Sequence, residues 1–393
     1  MAENCILSIV IPTRNRLKYL RGCLRAIART DLDGAEVIIQ DNSENHEEVR
    51  RFVESIPSPC FHYYYDGRKL SQTENSDLAV SHATGKYVLY VGDDDAVCGT
   101  AVTLARAMDR FGVEACVFPA AIYNWPDLIA AVPGSFTLKY CGNISCTAIR
   151  VDTQELLARC LREGMQNITD LPRVYHGMVR RSLLNKIRER TGSFFPGPSP
   201  DMANAVSCAL LAENCVKINV PIMIDGFGKS SAGGMGRRKL HRGSLKGNFQ
   251  LRDDVEENWD PKIPKRWVQS AIYPASAVTA LKALGEEKMS AELDYGIIAA
   301  ETLLHDPAGF REIFACGLSI SAYGKMLFHM TKRTAQRFLV RRKPEPDRKI
   351  LYDRIRIEQA AELQTAENRE AGIPEAFDRL FSVSEADFPC CPS

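Results

Sequence analysis

Short apolar runs alternate with amphipathic segments through about the first 120 residues of the chain. The runs are rich in β-branched and aromatic residues, which favours buried strands, and the segments between them carry apolar residues three and four positions apart, which favours helices. This alternation predicts an α/β fold with a mainly parallel sheet flanked by helices. The predicted strands are Leu7–Ile11, Val37–Ile39, Phe61–Tyr65, Tyr87–Val91 and Ala115–Phe118, and the predicted helices are Leu17–Ala28, Glu74–Ser81 and Thr100–Phe111.

The pattern becomes less regular after residue 120 and changes again after residue 225. Residues 226–247 are rich in Gly, Ser, Arg and Lys, which is typical of a mobile loop or linker. We therefore predict a first half of the α/β domain at 1–120, its second half at 121–228, a basic flexible linker at 229–258 and a C-terminal helical region at 259–393. The later predicted elements are helices at Thr153–Leu161, Met202–Ala212, Ala271–Leu284, Ile320–Val340 and Ile350–Ala366, a strand–helix unit at Val174–Ile187 and a closing strand at Val216–Ile224.

Composition narrows the class of protein without identifying a function. The 393 residues are 45% hydrophobic and 25% charged with a formal net charge of +1, which is typical of a globular protein and predicts no nucleic-acid partner. No apolar run is long enough to cross a bilayer and the N-terminus lacks a signal-peptide pattern, so we expect a cytoplasmic protein. The thirteen cysteines are scattered, which favours reduced thiols over disulfides or a zinc site.

Three consecutive aspartates, Asp93–Asp95, directly follow the predicted strand Tyr87–Val91. Adjacent carboxylates repel one another, and a divalent cation removes that conflict because Mg²⁺ and Mn²⁺ prefer carboxylate oxygens. The carboxyl ends of strands in α/β sheets are also where ligands bind. The alternative is an acidic turn that caps the helix beginning near Gly99.

Three segments together resemble the family 2 glycosyltransferases, which have the GT-A fold. The first predicted strand ends in Pro12-Thr-Arg-Asn-Arg16, the second ends in Asp41-Asn-Ser43, and the third segment runs from Asn75 through Thr84-Gly-Lys-Tyr87 to the three aspartates. Each motif is weak alone, but they occur in order at family-like spacing over roughly the first quarter of the chain. The resemblance implies a nucleotide-sugar-binding half at 1–120 and an acceptor-side half at 121–228.

The resemblance also implies roles for residues at these strand ends. Asp41 would accept a hydrogen bond from the ring N–H of uracil or thymine, which favours a UDP- or dTDP-sugar; alternatively it closes an Asx turn. Asp95 would bind Mn²⁺ or Mg²⁺ directly with Asp93 as a second metal residue, and Asp93 or Asp94 would contact ribose or metal-bound water. Gly92 stands where many members have the first aspartate. The other nucleotide-binding residues implied are Pro12, Thr13, Arg14 and Asn75.

A proline-rich loop at residues 194–200 delivers Asp201 to the start of the predicted helix Met202–Ala212. Family members carry an acidic residue at this helix start, and an inverting transfer needs a carboxylate beside the acceptor hydroxyl, so the resemblance implies that Asp201 is the general base. Pro200 replaces the first acid of the usual pair. The alternative is an ordinary N-cap aspartate.

Basic residues in the glycine-rich segment are candidates for a lid over the diphosphate. These residues are Lys229, Arg237, Arg238 and His241, and the alternative is a solvated basic linker. His176 and His241 are also candidates for contact with the metal or the diphosphate, although such histidines more often bond to backbone or solvent.

The helical region contains an amphipathic basic segment at residues 326–343. We expect it to pack on the catalytic domain with a solvated basic face, and the alternative is peripheral association with an anionic membrane surface at the inner face of the membrane. Neither a transmembrane run nor a Gln-x-x-Arg-Trp motif occurs, which argues against a processive polysaccharide synthase.

The function that these motifs favour is a metal-dependent, inverting transfer of a sugar from a UDP- or dTDP-sugar to a hydroxyl of a glycan or lipid-linked acceptor. One alternative is a nucleotide-sugar-binding or scaffold protein without activity, which Gly92 and Pro200 support because each replaces an acid. A sugar nucleotidyltransferase or a dinucleotide-binding dehydrogenase fits less well, because no glycine-rich loop follows the first strand. The sequence favours no particular oligomeric state.

Overall fold

The computed structural model describes residues 5–132, 138–139, 145–248 and 250–342. Within these residues the predicted alternation of strands and helices is present. The described strands are β1 (Leu7–Thr13), β2 (Ala35–Asp41), β3 (Phe61–Tyr65), β4 (Tyr87–Tyr90), β5 (Ala96–Val97), β6 (Ala115–Val117), β7 (Ala120–Asn124), β8 (Leu138–Lys139), β9 (Ser145–Arg150), β10 (Gly177–Arg180), β11 (Cys215–Asn219) and β12 (Met223–Phe227).

Helices cover the sheets and form the C-terminal region. The described α-helices are α1 (Leu17–Ile27), α2 (His46–Glu54), α3 (Gln72–Ser81), α4 (Ala101–Arg110), α5 (Pro126–Ala131), α6 (Thr153–Arg162), α7 (Arg181–Thr191), α8 (Pro200–Leu211), α9 (Ala232–Arg237), α10 (Gln269–Ala283), α11 (Tyr295–His305), α12 (Phe310–Ala315) and α13 (Ile320–Arg342), with short 3₁₀ helices at Glu287–Glu292 and Pro307–Gly309. The predicted helix at Ile350–Ala366 lies outside the described residues.

The larger sheet has the strand order β3-β2-β1-β4-β10-β6-β11-β9. Strands β1 to β4 run parallel, as do β6 and β11, whereas β10 and β9 are antiparallel to their neighbours. The strand order reverses at β1, because β2 lies on one side of it and β4 on the other. The carboxyl ends of β1, β2 and β4 therefore meet at one edge, where open α/β sheets bind ligands. The predicted fold class, α/β with a mainly parallel sheet, flanking helices and a C-terminal helical region, is confirmed.

A smaller sheet has the order β5-β12-β7-β8 and corrects one predicted strand. The single closing strand predicted at Val216–Ile224 is wrong, because the chain forms β11 in the larger sheet and β12 in the smaller one. Pro221 lies between them and has no N–H to donate to a strand ladder, so the strand ends there. In the smaller sheet β12 pairs with β5, with Ile224 opposite Ala96. This pairing brings the end of β12 to the residues that follow β4.

The segment at 226–247 differs from the mobile loop that its composition predicts. It begins within β12 and contains α9, whose N-cap Ser231 accepts a hydrogen bond from the Gly234 N–H at 3.0 Å, and Leu245 is buried in a core with α8 and α10. A Cβ on Gly234 would lie 1.9 Å from the Gly228 carbonyl oxygen, so glycine here permits close packing. The predicted domain boundaries stay predictions.

Three cores join the sheets to the helical region. One packs α1 and α4 on one face of the larger sheet, another packs α3 and α7 on the opposite face, and a third joins α6, α8 and α10. Helix α10 packs on α8, α11 on α10, and α13 on α11, so the helical region builds outward from α8. No helix in the described ranges is long and apolar enough to cross a membrane.

Candidate functional site

The three aspartates that follow β4, which we call the acidic cluster (Asp93, Asp94 and Asp95), lie at the carboxyl edge of the larger sheet. All three are buried, with 3%, 5% and 0% of their surface exposed. The Thr13 hydroxyl at the end of β1 donates a hydrogen bond to Asp93 Oδ2 at 2.7 Å. The structure thus brings together the strand ends that carry the first and third predicted motifs.

Arg16 is the positive partner of two members of the acidic cluster. Its guanidinium lies 3.2 Å from Asp93 Oδ1 and 2.9 Å from Asp94 Oδ2, and its side chain is 24% exposed. Burial alone would lower the pKa of Arg16. The negative charges of Asp93 and Asp94 have the larger combined effect and raise this pKa above its ordinary value. Burial also raises the pKa of Asp93 to about 6, and that of Asp94 above its usual range, against the opposing effect of Arg16. The Arg16 guanidinium thus supplies a positive charge beside the carboxylates of Asp93 and Asp94.

Asp95 closes the turn of the acidic cluster. Its Oδ2 accepts a hydrogen bond from the Gly92 N–H at 2.8 Å, its Oδ1 accepts one from the Gly226 N–H at 2.7 Å, and the residue has no exposed surface. Burial, followed by the charges of Asp225 and Asp94, raises the pKa of Asp95 well above its ordinary value. Both oxygens thus accept hydrogen bonds from backbone amides inside the fold, and the role of Asp95 as the direct metal ligand stays a prediction. A Cβ on Gly92 would lie 2.8 Å from Asp95 Oδ2, so the glycine permits this close approach.

The acidic cluster does not fit a divalent cation in this arrangement. Asp93 uses its two oxygens on Thr13 and Arg16, and Asp94 Oδ2 accepts the Gly228 N–H at 2.9 Å while it also faces Arg16. Within the described part of the chain, no three His, Cys, Asp or Glu side chains are grouped so as to hold a metal ion. A cation entering the cluster would first have to displace the Arg16 guanidinium.

Asp41 and Asn75 lie at the same edge of the sheet. Asp41 is fully buried: its Oδ1 accepts the Ser43 N–H at 2.8 Å, which is the Asx turn, and its Oδ2 accepts the Tyr63 hydroxyl at 2.8 Å. The N–H of a nucleobase would have to compete with these two donors for the Asp41 carboxylate. The predicted role of Asp41 in binding the nucleobase stays a prediction. Asn75 Nδ2 donates to the Thr13 carbonyl at 3.4 Å, while its buried Oδ1 has no partner among the described residues.

Pro12 and Arg14 flank Thr13 and are partly exposed. Pro12 lies in β1 in register with Gln40 of β2, and Arg14 Nη1 donates to the Leu70 carbonyl at 3.1 Å. Their predicted contacts with the nucleotide stay predictions.

Asp201 lies in the first turn of α8 and is partly exposed, at the helix start where the sequence places it. The Ser199 hydroxyl donates to Asp201 Oδ1 at 2.5 Å. The Ser199 N–H in turn donates to Ser276 Oγ of α10 at 2.9 Å, which fixes the proline-rich loop against the helical region. The carboxylate is thus held by hydrogen bonds on a supported loop, as positioning of a base demands.

Two tyrosines connect the proline-rich loop before Asp201 with β12. The rings of Tyr90 and Tyr175 pack edge to face with their centroids 5.9 Å apart. Burial raises the pKa of both hydroxyls, and the charges of Asp201 and of Asp95 act on both in the same direction. Tyr90 also packs edge to face on Phe195 of the proline-rich loop, with ring centroids 5.8 Å apart, and the Tyr175 hydroxyl donates to Asp225 of β12.

Comparisons with known proteins agree with the motifs at these strand ends. A family model described as Glycosyl transferase family 2 matches residues 8–124. WcaA of Escherichia coli (strain K12), a protein assigned by name to the glycosyl transferases of colanic acid biosynthesis, is 27% identical over 96 residues, which cover 24% of this chain and 34% of that protein. The chain thus matches about a third of the length of this curated relative.

Solved structures are similar to this chain over a larger share of its length. S. aureus TarS 1–349 in complex with UDP-GlcNAc has a TM-score of 0.46 at 15% identity and covers 78% of this chain and 89% of that chain. The mannosyltransferase PcManGT from Pyrobaculum calidifontis, in complex with GDP-Man and Mn²⁺, has a TM-score of 0.38 at 18% identity and covers 82% and 87%.

The basic residues predicted to form a lid lie beyond residues 8–124, which the family model matches. Arg237 Nη1 donates to Asn124 Oδ1 at 2.7 Å, and its guanidinium lies 4.0 Å from the centroid of the Phe227 ring. Burial lowers the pKa of Arg237, although the charge of Asp225 opposes this. Arg237 is therefore anchored on the smaller sheet.

Arg238, Lys229 and His241 also make contacts outside the acidic cluster. Arg238 Nη1 donates to the Lys229 carbonyl at 3.2 Å, and the His241 ring packs edge-on against Trp267. Burial lowers the pKa of His241. The segment at 226–247 contacts Asp94 of the acidic cluster through its main chain, because the Gly228 N–H donates a hydrogen bond to that carboxylate. Closure of the segment as a lid stays a prediction.

Asp225 is a candidate site residue that the sequence analysis missed. It lies in β12, where its Oδ1 accepts the Tyr175 hydroxyl at 3.1 Å and its Oδ2 lies 3.6 Å from His176 Nε2. Its charge also raises the pKa of Asp94 and Asp95. The sequence does contain a signal for this residue, because Asp225 directly follows the apolar residues of a strand, as the acidic cluster does.

Proposed function

We propose that this protein transfers a sugar from a nucleoside diphosphate sugar to a hydroxyl of a glycan or lipid-linked acceptor. The observation that supports the proposal is the buried acidic cluster at the carboxyl edge of the sheet, where the Thr13 hydroxyl donates to Asp93 at 2.7 Å within the residues that the family model matches. Asp201 lies at the start of α8, and Phe195 of the proline-rich loop before it packs edge to face on Tyr90 at the end of β4, with ring centroids 5.8 Å apart. A donor-side edge and an acceptor-side base are the two parts that such a transfer requires.

In the proposed reaction Asp201 accepts the proton of the acceptor hydroxyl. The acceptor oxygen then forms a bond to the anomeric carbon, and the bond from that carbon to the donor phosphate oxygen breaks, with its electron pair leaving on the nucleoside diphosphate. Attack on the face opposite the leaving group inverts the anomeric configuration. The growing charge on the diphosphate needs positive groups nearby, and the partly exposed Arg16 and the amino end of α1 beside it are the groups that we assign to this role.

The Mn²⁺ or Mg²⁺ predicted from the sequence has no step in this mechanism. Arg16 and backbone amides already engage oxygens of all three aspartates of the acidic cluster. The preference for a UDP- or dTDP-sugar depends on Asp41 as the partner of the base and is part of the proposal.

Release of the nucleoside diphosphate from a panel of UDP- and dTDP-sugars tests the proposal. We expect Asp201→Asn to lower turnover about 10²–10⁴-fold, which is the usual contribution of general base catalysis. UDP should still raise the melting temperature of Asp201→Asn as it does that of the wild type. Asp31→Asn alters an exposed carboxylate elsewhere and serves as the matched control.

Two results would contradict the proposal. Full turnover by Asp201→Asn would remove this residue as the base. Binding of UDP without turnover, for every donor and with glycan and lipid-linked acceptors present, would favour the alternative of a nucleotide-sugar-binding protein without activity.

A further inference from the structure

The outer side of α13 is apolar and exposed. Ile320, Leu327 and Phe328 are 92%, 61% and 71% exposed, and Phe314 of the neighbouring α12 is 65% exposed. Positions separated by four, seven and eight residues share one face of a helix, which places Ile320, Gly324, Leu327 and Phe328 together. We call Phe314, Ile320, Leu327 and Phe328 the outer apolar face.

The opposite side of α13 already holds the helix in place. Met326 is buried against a small core that includes Ala299 of α11. Arg333 Nε lies 2.8 Å from the buried carboxylate of Glu301, and His329 Nε2 lies 2.6 Å from the same group. The outer apolar face is therefore not required for docking α13 on α11.

The outer apolar face forms a continuous row with open space above it. A Cβ on Gly324, in the middle of the row, would meet nothing within 4 Å. Phe314 stacks on Tyr323, with ring centroids 5.8 Å apart, which joins α12 to the row. Single exposed apolar residues are ordinary on a protein surface, but a contiguous apolar patch marks a binding surface.

The charge of α13 identifies the kind of partner. Its sequence contains six Lys and Arg residues and no Asp or Glu. Lys325 and Arg333 pair with Asp294 and Glu301 of the neighbouring segment, and the other four are Lys332, Arg337, Arg341 and Arg342. An apolar face on a basic helix suits an anionic lipid surface, because apolar side chains enter the boundary of headgroups and acyl chains while the basic side chains attract lipid phosphates. A second copy of the same helix would instead bring cations against cations, which disfavours self-association through this face.

We propose that the outer apolar face of α13 binds the surface of an anionic membrane. The face is connected to the acceptor side of the molecule by packed helices, since α13 lies on α11, α11 on α10, and α10 on α8, the helix of Asp201. A protein bound in this way meets acceptors that are carried in the membrane. The proposal goes beyond the transfer reaction and does not depend on it, because lipid binding is measured without turnover.

Cosedimentation of the full chain with vesicles tests this proposal. We expect binding to phosphatidylglycerol vesicles at least about tenfold tighter than to phosphatidylcholine vesicles, and release as the salt concentration rises. Phe328→Ser should weaken binding about tenfold, and Gly324→Leu should strengthen it, because it adds an apolar side chain in open space on the same face. Leu240→Ser removes an apolar side chain that is 52% exposed elsewhere in the chain, and it should leave binding unchanged.

Three outcomes would overturn the proposal. The first is a wild-type protein that does not bind the anionic vesicles. The second is equal binding by the wild type, Phe328→Ser and Gly324→Leu. The third is self-association in sedimentation equilibrium that Phe328→Ser abolishes, without lipid binding, which would assign the face to a second copy of the chain. We expect each variant to fold, because the substituted positions are exposed, and a thermal melt of each variant checks this.

Discussion

Gly226→Ala is the substitution that tests most directly how the acidic cluster is built. A Cβ on Gly226 would lie 1.7 Å from the Asp94 carbonyl oxygen, whereas ordinary contact begins at 3.4 Å. To relieve this overlap, the end of β12 and the acidic turn would have to move apart until the separation rises from 1.7 Å to about 3.4 Å. That movement would break the 2.7 Å bond from the Gly226 N–H to Asp95 and disturb the 2.9 Å bond from Trp125 Nε1 to the Asp94 carbonyl.

The expected loss of stability from Gly226→Ala has two parts. A buried carboxylate that loses a donor costs about 1–3 kcal/mol, and overpacking of a well-packed site costs about 1–3 kcal/mol. Together they amount to about 2–6 kcal/mol, which corresponds to a fall of about 4 °C or more in melting temperature.

Gly236→Ala is the matched control, because a Cβ at Gly236 in α9 would meet nothing within 4 Å. Alanine is favoured over glycine inside a helix by up to about 1 kcal/mol, so this variant should melt at or slightly above the wild-type temperature. Differential scanning fluorimetry, with and without UDP, gives both melting temperatures. Equal melting of Gly226→Ala and Gly236→Ala would refute the close contact between β12 and the acidic turn.

Two other perturbations address charge. Arg16→Met removes the guanidinium that pairs with Asp93 and Asp94. Titration with Mn²⁺, followed by electron paramagnetic resonance, should then show tighter Mn²⁺ binding to the variant than to the wild type. Equal affinities would refute the claim that Arg16 excludes the cation. Burial, the largest effect, would raise the pKa of Glu301, but its bonds to His329 and Arg333 hold that pKa below its ordinary value of 4.5. Glu301 therefore contributes stability above about pH 4.5 that is lost as the pH falls through its folded pKa, and urea unfolding at several pH values should show this acid dependence weakened in Glu301→Gln.

The parts of the fold and the site that the sequence predicted are those encoded by local patterns. Short apolar runs of three to five residues identified the strands β1 to β4, and the rule that ligands lie at carboxyl strand ends pointed to Thr13 and Asp93. The proline-rich loop and the apolar run after it placed Asp201 at a helix start. The assignment of both to one site depended on the family resemblance, because local patterns do not encode the distance between separate motifs.

The parts that were missed depend on contacts between residues far apart in the chain. Periodicity cannot indicate that the Gly226 and Gly228 amides bind the acidic cluster, or that Arg16 lies beside it. Composition also does not distinguish glycine that gives flexibility from glycine that permits close approach, so a packed segment was predicted to be a linker. Pro221 was a visible break signal, and giving it more weight would have separated β11 from β12.

The two amides that β12 and its following residue donate have a consequence for how the acidic turn forms during synthesis. Asp95 and Gly226 are 131 positions apart, and Asp94 and Gly228 are 134 apart. A nascent chain that ends at residue 124, where the family match ends, would lack the main-chain donors that Asp94 and Asp95 use in the folded protein. We therefore expect the acidic turn to become ordered only after β12 has left the ribosome, and residues 8–124 expressed alone to have no ordered acidic cluster.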